Sequence, residues 1–225
     1  MPVGFRILKR KRAVHAATVK KFREIPVANI SDCMFRLTAG GARLRPLHAG
    51  GVLCGPAVTV KTVPGDNLMT HMALNLARKG DVLVVDAGGD LTNSIIGERM
   101  LSYCEKKGFA GVVINGAVRD LGYIKARNFP VYGAGVTHRG PYKHGPGEIN
   151  VTIAIDGMVI EPGDLIIGDD DGLLCVPYGD TGAVLKLAQA KFKSETETFE
   201  AFGQGDNDRK KYEKILRDLG CEFEK

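Results

Sequence analysis

An arginine and an aspartate stand side by side at the end of "INGAVRD", residues 114–120, directly after the apolar run "FAGVV". Neighbouring side chains of a regular strand point to opposite faces, so Arg119 and Asp120 act together only where the backbone turns. Gly116 is the expected turning point. Arg119 is suited to pin a ligand oxygen by a charge-assisted hydrogen bond. Asp120 needs a different task, because a carboxylate beside an anionic ligand repels it. A divalent metal resolves the conflict: Mg²⁺ takes one or two carboxylates, waters and substrate oxygens, and needs no dense protein cage. Glu98 and Asp32 are further carboxylates for such a metal or its waters. A surface Arg–Asp pair beside a capped helix is the alternative that spacing alone leaves open.

The elements around these residues form a recognisable unit. "DVLVVD" (81–86) and "AGVVING" (110–116) are short apolar strands of the kind buried on both faces. Between them "AGGDLTNSII" reads as a glycine-bearing loop and "GERMLSYCEKKG" as a helix that stops at Gly108. Strand, loop, helix and strand in that order predict a right-handed βαβ crossover. Ligands of open α/β folds gather at the carboxyl ends of strands, beside helix N-termini whose free N–H groups suit a carboxylate or phosphate. Gly97 lets a ligand come close to that backbone.

Elsewhere "IPVANIS" reads as an extended lead-in, with Ser31 or Asp32 capping the helix that follows. "VLCGPAVTVKTV" is strand-like, and "LMTHMALNLARKG" has helical spacing up to Gly80. "LGYIKARNF" is a short helix and "PVYGAG" a strand. Residues 133–177 have the texture of short β runs with turns at "DG" (156–157) and "PGD" (162–164). "TGAVLKLAQAKFKSETETFEAF" is a long amphipathic helix, "GQGDN" a break, and "DRKKYEKILRDLG" a last helix. One α/β domain with helical extensions at both ends is the simplest account: an arm over residues 1–24, a domain over 25–190 and a C-terminal extension over 191–225.

Bulk properties narrow the function classes. Hydrophobic content of 44% and charged content of 25% in 225 residues are those of a soluble globular protein. No apolar run reaches the ~18–20 residues that span a bilayer, and no signal peptide is evident, so a cytoplasmic location is expected. Net charge is +5, yet residues 1–23 hold eight of the 31 basic residues and no acid, which leaves 23 basic against 26 acidic residues in the body. The excess is a terminal arm, read as a solvated helix face, and a nucleic-acid partner is not expected. The five cysteines contain no CxxC and read as buried free thiols. His71 is read as a packing residue, and His138 and His144 as lining a pocket mouth. "GDDDG" (168–172) is read as a hairpin turn. Lys61 and Lys125 lie outside the two loops, which argues against a lysine Schiff base.

"VPGDNLMTHMAL", "GDVLVVDAGGD", "GERMLSYCEKKGFAGVVINGAVRD", "FPVYGAG" and "VIEPGDLIIGDDDGLLCVP" resemble the RraA-like family in order and spacing, over about residues 25–190. That family includes regulators of ribonuclease activity, metal-dependent 4-hydroxy-4-methyl-2-oxoglutarate/4-carboxy-4-hydroxy-2-oxoadipate aldolases, and members labelled demethylmenaquinone methyltransferase. The resemblance implies a ββα swivelling sandwich and homotrimers or homohexamers with sites between subunits. It implies that the backbone amides of Gly97, Glu98, Arg99 and Met100 hold a pyruvyl carboxylate, that Arg119 contacts substrate oxygens, and that Asp120 binds Mg²⁺ or Mn²⁺. Glu98, Asp32 and a C-terminal carboxylate of a neighbouring subunit, Glu195 with Glu197 as rival, then act on the metal through water.

Regulator-type members tend to lack the acid after the arginine, so Asp120 points to an enzyme. The expected activity is retro-aldol cleavage of 4-hydroxy-2-oxo acids to pyruvate, with oxaloacetate decarboxylation as a side activity. A non-catalytic regulator of a ribonuclease or RNA helicase is the second reading. The basic arm and Arg99, where the family often has an apolar residue, depart from the pattern.

Overall fold

The computed structural model describes residues 3–38, 40, 42–202 and 209–223. In chain order the elements are β1 (Phe5–Ile7), α1 (Ala16–Phe22), α2 (Val27–Cys33), β2 (Arg45–Pro46), β3 (Leu53–Thr62), α3 (Leu68–Leu76), β4 (Val82–Asp86), β5 (Ser94–Ile96), α4 (Glu98–Lys107) and β6 (Gly111–Val118). There follow α5 (Leu121–Lys125), β7 (Val131–Val136), β8 (Gly147–Ile149), β9 (Ile153–Ile155), β10 (Met158–Ile160), β11 (Leu165–Asp169), β12 (Gly172–Val176), a 3₁₀ turn at Tyr178–Asp180, α6 (Thr181–Phe202) and α7 (Arg209–Asp218).

The strands β3, β4, β6 and β7 lie side by side and parallel, the arrangement that the βαβ pattern predicts. Period-two alternation explains why both faces of this sheet are dry. Leu83, Val85, Val112 and Ile114 point to one face, where they join Met69 and Ala73 of α3 and Leu101 and Cys104 of α4. Val82, Val84 and Val113 point to the other, against Ile153, Ile155, Met158 and Ile160 of the β9–β10 hairpin. Full burial of a strand side chain of this size is worth about 1.5–3 kcal/mol, so neither face tolerates a polar residue without a partner. A third apolar cluster packs Phe22, Ile30, Val184 and Ala188 of α1, α2 and α6 against Leu165, Ile167, Leu174 and Val176 of the β11–β12 hairpin.

Strand β3 couples the layers. Its first half pairs antiparallel with β11, its middle parallel with β4, and its end antiparallel with β8. The α/β sandwich with helical extensions expected from sequence is the fold found, and "GDDDG" is the tight turn between β11 and β12.

Several local expectations need correction. "VANISDC" is helical, not an extended lead-in, and Asp32 lies in the last turn of α2 where a cap had been expected. The cap comes from elsewhere in the chain: the Val27 N–H donates to Asp169 Oδ2 at 2.9 Å, so a carboxylate 142 residues away fixes the start of the helix. "SII" within the predicted loop is strand β5, paired with β6. The basic arm is not a solvated helix over its length. Residues 5–7 form β1 beside β8, and acids are waiting for three arginines: Arg6 pairs with Glu148 at 2.6 Å, Arg10 with the buried Asp81 at 2.8 Å, and Arg12 with Glu161. Of the cysteines only Cys54, Cys104 and Cys175 are buried; Cys33 is half-buried and Cys221 exposed. Burial pushes the thiols of Cys54 and Cys104 up to about 12, and that of Cys175 up further, which rules them out as thiolate nucleophiles. "GQGDN" falls outside the described residues.

Candidate active site

The turn that presents Arg119 and Asp120 is built differently from the sequence expectation. Gly116 remains inside β6, with the pairing to β7 irregular between Ile114 and Ala117. The chain turns two residues after the strand ends, at Asp120, which adopts φ +60°, ψ +45°. Aspartate is among the few residues that enter this left-handed region at modest cost. The turn folds the Asp120 carboxylate back toward α4, where its Oδ2 accepts a hydrogen bond from the Glu98 N–H at 2.8 Å. Arg119 is anchored through its own N–H to the Ile96 carbonyl at 3.0 Å. Its Nε lies 3.7 Å from Asp120 Oδ2, and both side chains are about two-fifths exposed (43% and 40%). A pair this open is worth little in itself, and the guanidinium remains available to a ligand.

Gly97 is required by close approach, since its own φ of −151° suits any residue. A Cβ there would collide with Asp120 Oδ2 and lie 2.7 Å from Arg119 Cγ. The glycine therefore brings the helix start and the Arg–Asp turn together. At the start of α4 the Met100 and Leu101 N–H groups donate to the Gly97 carbonyl, each at 3.0 Å. The Glu98 N–H is taken by Asp120, and among the described residues the Arg99 N–H has no acceptor.

Beside this helix start lies a cavity of about 370 Å³, lined by Gly97, Arg99, Met100 and Arg119 together with Asn67, Leu68, His71, Ser94, Ile95, Ile96, Pro141 and Lys143. Sequence reasoning missed the α3 and 141–143 walls. His71, expected to pack, faces this cavity. Burial first, and then the charges of Lys143 and Arg99, hold its imidazole below the ordinary histidine value. His138 and His144 do not line the cavity; Pro141 and Lys143 of the same loop do. The buried Asp66 positions that loop, accepting from the Leu68 N–H (2.8 Å), the His144 N–H (2.5 Å) and the Gly145 N–H (3.0 Å). The available signal was "PGDN" directly before a helix, an aspartate placed to bond the backbone two residues on.

Asp32 and Glu195 form a separate group. Asp32 pairs with Arg36 at 2.7 Å and with Lys191 at 3.2 Å, Lys191 pairs with Glu195 at 2.7 Å, and Asn29 Nδ2 donates to Glu195 Oε2 at 2.5 Å. Hydrogen bonds from Lys191 and then Asn29 hold the Glu195 carboxyl below the usual range. Glu197 pairs with Lys193 at 3.9 Å. Among the described residues no hydrogen bond or ion pair joins this α2–α6 group to Asp120 or Glu98, and no three His, Cys, Asp or Glu side chains gather in a metal-binding cluster. A metal of the zinc type, caged by protein donors, does not fit. Mg²⁺ or Mn²⁺ does fit the donor set: the part-exposed carboxylate of Asp120, with the exposed Glu98 at the first residue of α4, the remaining positions left to water and ligand.

A helix start, an Arg–Asp turn and a cationic cavity on an RraA-type sandwich define a class, and comparison with known proteins agrees. Residues 27–175 match the RraA-like family model described as Aldolase/RraA, and the chain belongs to that family. It is 42% identical over 173 residues to a protein of Halalkalibacterium halodurans named provisionally as a 4-hydroxy-4-methyl-2-oxoglutarate aldolase, covering 77% of this chain and 82% of that one. It is 33% identical over 117 residues to the 4-hydroxy-4-methyl-2-oxoglutarate aldolase of Thermus thermophilus, covering 52% and 71%. Among solved structures it resembles the RNA-processing inhibitor RraA from Thermus thermophilis, with TM-score 0.64, 29% identity and coverage of 68% and 93%. It also resembles RraAS2 of Streptomyces coelicolor, an RNase ES inhibitor family member, with TM-score 0.73, 25% identity and coverage of 86% and 98%. Among the described residues no helix is long and apolar enough to cross a membrane.

Proposed function

We propose that this protein is a divalent-metal-dependent lyase that cleaves 4-hydroxy-2-oxo acids, of the 4-hydroxy-4-methyl-2-oxoglutarate or 4-carboxy-4-hydroxy-2-oxoadipate type, to pyruvate, with oxaloacetate decarboxylation as a side activity. The observation that carries this reading is the Asp120 carboxylate bonded to the first amide of α4 while Arg119 stands at the cavity beside it. The aldolase names of the relatives support it. Cleaving the C3–C4 bond leaves an electron pair on the pyruvyl fragment, and that fragment must be stabilised as an enolate. Mg²⁺ or Mn²⁺, held by Asp120, supplies Lewis-acid stabilisation of that charge. Arg119 donates to the same oxygens, a contribution of about 3–4 kcal/mol when such a donor is preorganised. The open Arg99 N–H at the positive end of α4 receives the substrate carboxylate. Glu98, exposed at the first residue of α4, is the candidate acid–base group that takes the 4-hydroxyl proton and returns a proton to C3 of the enolate to give pyruvate, with Asp32 and Glu195 as further carboxylates.

We place the complete site between subunits of a homotrimer or homohexamer. Two facts support this: the predicted carboxylates are split into two groups within one chain, and α6 exposes Leu187 and Phe192 along its length. The test is pyruvate release from oxaloacetate and from 4-hydroxy-2-oxo acids, with Mg²⁺ and then with EDTA. Absence of turnover on all of them, with no response to metal, moves the protein to the regulator reading, which the likeness to the RNA-processing inhibitor supports.

A further inference from the structure

A second cavity lies at the opposite end of the sheet from the Arg–Asp turn. Its volume is about 380 Å³, within the range of small-molecule sites, and Val14, Val19 and Pro56 give it an apolar wall. Lys20, Arg23 and Lys79 line the same space. Lys20 and Arg23 come from the last turn of α1 and its cap, Lys79 from the turn that leads into β4. Among the described residues none of the three has an acidic partner, whereas Arg6, Arg10 and Arg12 earlier in the chain are each matched to a carboxylate. The end of a helix favours cations, which accounts for the α1 pair but not for Lys79. Arg23 is held at the sheet edge, where its Nη2 donates to the Cys54 carbonyl at 3.2 Å. Like charges around one space repel each other, and a cleft lined by one sign gathers the opposite charge. A neighbouring cavity of about 610 Å³ shares Arg23, Lys79 and Gly80, and Glu105, which also lines it, is already paired with Arg127 at 3.5 Å. Helix α4 starts at Gly97 beside the active site and ends at Gly108 on the wall of this neighbouring cavity, about 15 Å away.

We propose that Lys20, Arg23 and Lys79 form a binding site, separate from the active site, for a small organic anion: the three cations hold a carboxylate or phosphate head, and an apolar body lies against Val14, Val19 and Pro56. Both parts of the ligand are needed. A bare inorganic anion leaves the apolar wall wet, and an uncharged apolar molecule leaves the cations unmatched. The site does not rest on the reaction assigned above, because it shares no lining residue with the cavity beside the start of α4.

The test titrates the full-length protein calorimetrically with octanoate, octyl phosphate, 1-octanol and acetate. The wild type is expected to bind octanoate or octyl phosphate about tenfold or more tightly than both 1-octanol and acetate, and the better of the two identifies the head group. Arg23→Met and Lys79→Met should each weaken that ligand several-fold, and the triple variant Lys20→Met/Arg23→Met/Lys79→Met should bring its affinity down to that of 1-octanol. Lys143→Met, in the active-site cavity, should leave it unaltered. Arg23→Lys/Lys79→Arg keeps the charge and should retain most of the binding, which separates lost charge from altered packing. Salt gives a reading on the wild type alone: raising NaCl from about 0.05 to about 0.5 M should weaken the charged ligand several-fold and 1-octanol hardly at all. Equal binding of charged and uncharged ligands by the wild type, a preference that survives the triple variant, or one that Lys143→Met removes overturns the proposal. Circular dichroism melts of each variant separate lost binding from a lost fold.

Discussion

The central pair works because two adjacent residues are given different surroundings. Asp120 leaves the strand in a left-handed conformation and bonds an amide of α4, whereas Arg119 keeps an open guanidinium at the cavity. Asp120→Ala is expected to reduce metal-dependent pyruvate release to background while costing only about 1–2 kcal/mol of stability, through loss of the bond to the Glu98 amide and the poorer fit of alanine to the left-handed turn, and Arg119→Ala to lower kcat/KM about 10²–10³-fold. Gly97→Ala tests the close approach separately. A methyl group there pushes Arg119 and Asp120 away from the helix, at a stability cost of about 1–3 kcal/mol and with a loss of turnover larger than that cost explains. His71 offers a spectroscopic check. Its folded value lies below the ordinary 6.5, so the unfolded chain binds the proton more readily. The stability contributed by the neutral ring is complete above pH 6.5 and declines as pH falls through the folded value. In an NMR titration, Lys143→Met and Arg99→Met should each move the His71 value back up; no movement would mean that the two cations do not face it. The types and spacing of Gly97, Arg119 and Asp120 were legible in the sequence. His71 and Lys143 were not, because their place depends on a loop held to α3 by Asp66.

At the scale of elements, local pattern predicted the parallel core well because its strands are apolar on both faces and its helix α4 ends on a left-handed glycine, Gly108 at φ +78°. It failed where a distant residue decides the outcome. Helix α2 starts where it does because Asp169 caps it, and the basic arm is ordered because Glu148, Asp81, Glu161 and Asp164 await its arginines. No window of a few residues contains both partners of such a pair. The Arg10–Asp81 contact is the costly one to break, since Asp81 is 2% exposed and its Oδ1 loses its arginine partner when Arg10 is removed. Arg10→Ala should lower unfolding free energy by about 3 kcal/mol in urea melts, whereas Arg12→Ala should cost less, about 1 kcal/mol, because Glu161 is exposed and the buried Asp164 keeps its bonds from the Glu161 and Tyr178 N–H groups. Comparable losses at both positions would mean that the arm acts through packing alone.

At the scale of the molecule, one chain keeps its candidate carboxylates in two groups, Asp120 with Glu98 and Asp32 with Glu195. If neighbouring chains complete each other's sites, Asp120→Ala and Glu195→Gln subunits, each inactive alone, should regain part of the wild-type turnover when unfolded together and reassembled. A mixture that stays inactive would assign all essential groups to one subunit.

The measurement that bears most directly on the whole account is pyruvate release from 4-hydroxy-4-methyl-2-oxoglutarate by the wild type and by Asp120→Ala, with Mg²⁺ present and after EDTA. The account predicts turnover by the wild type with Mg²⁺, none after EDTA until the metal is restored, and none by Asp120→Ala in either condition. Turnover that survives EDTA, or an Asp120→Ala protein as active as the wild type, would contradict it.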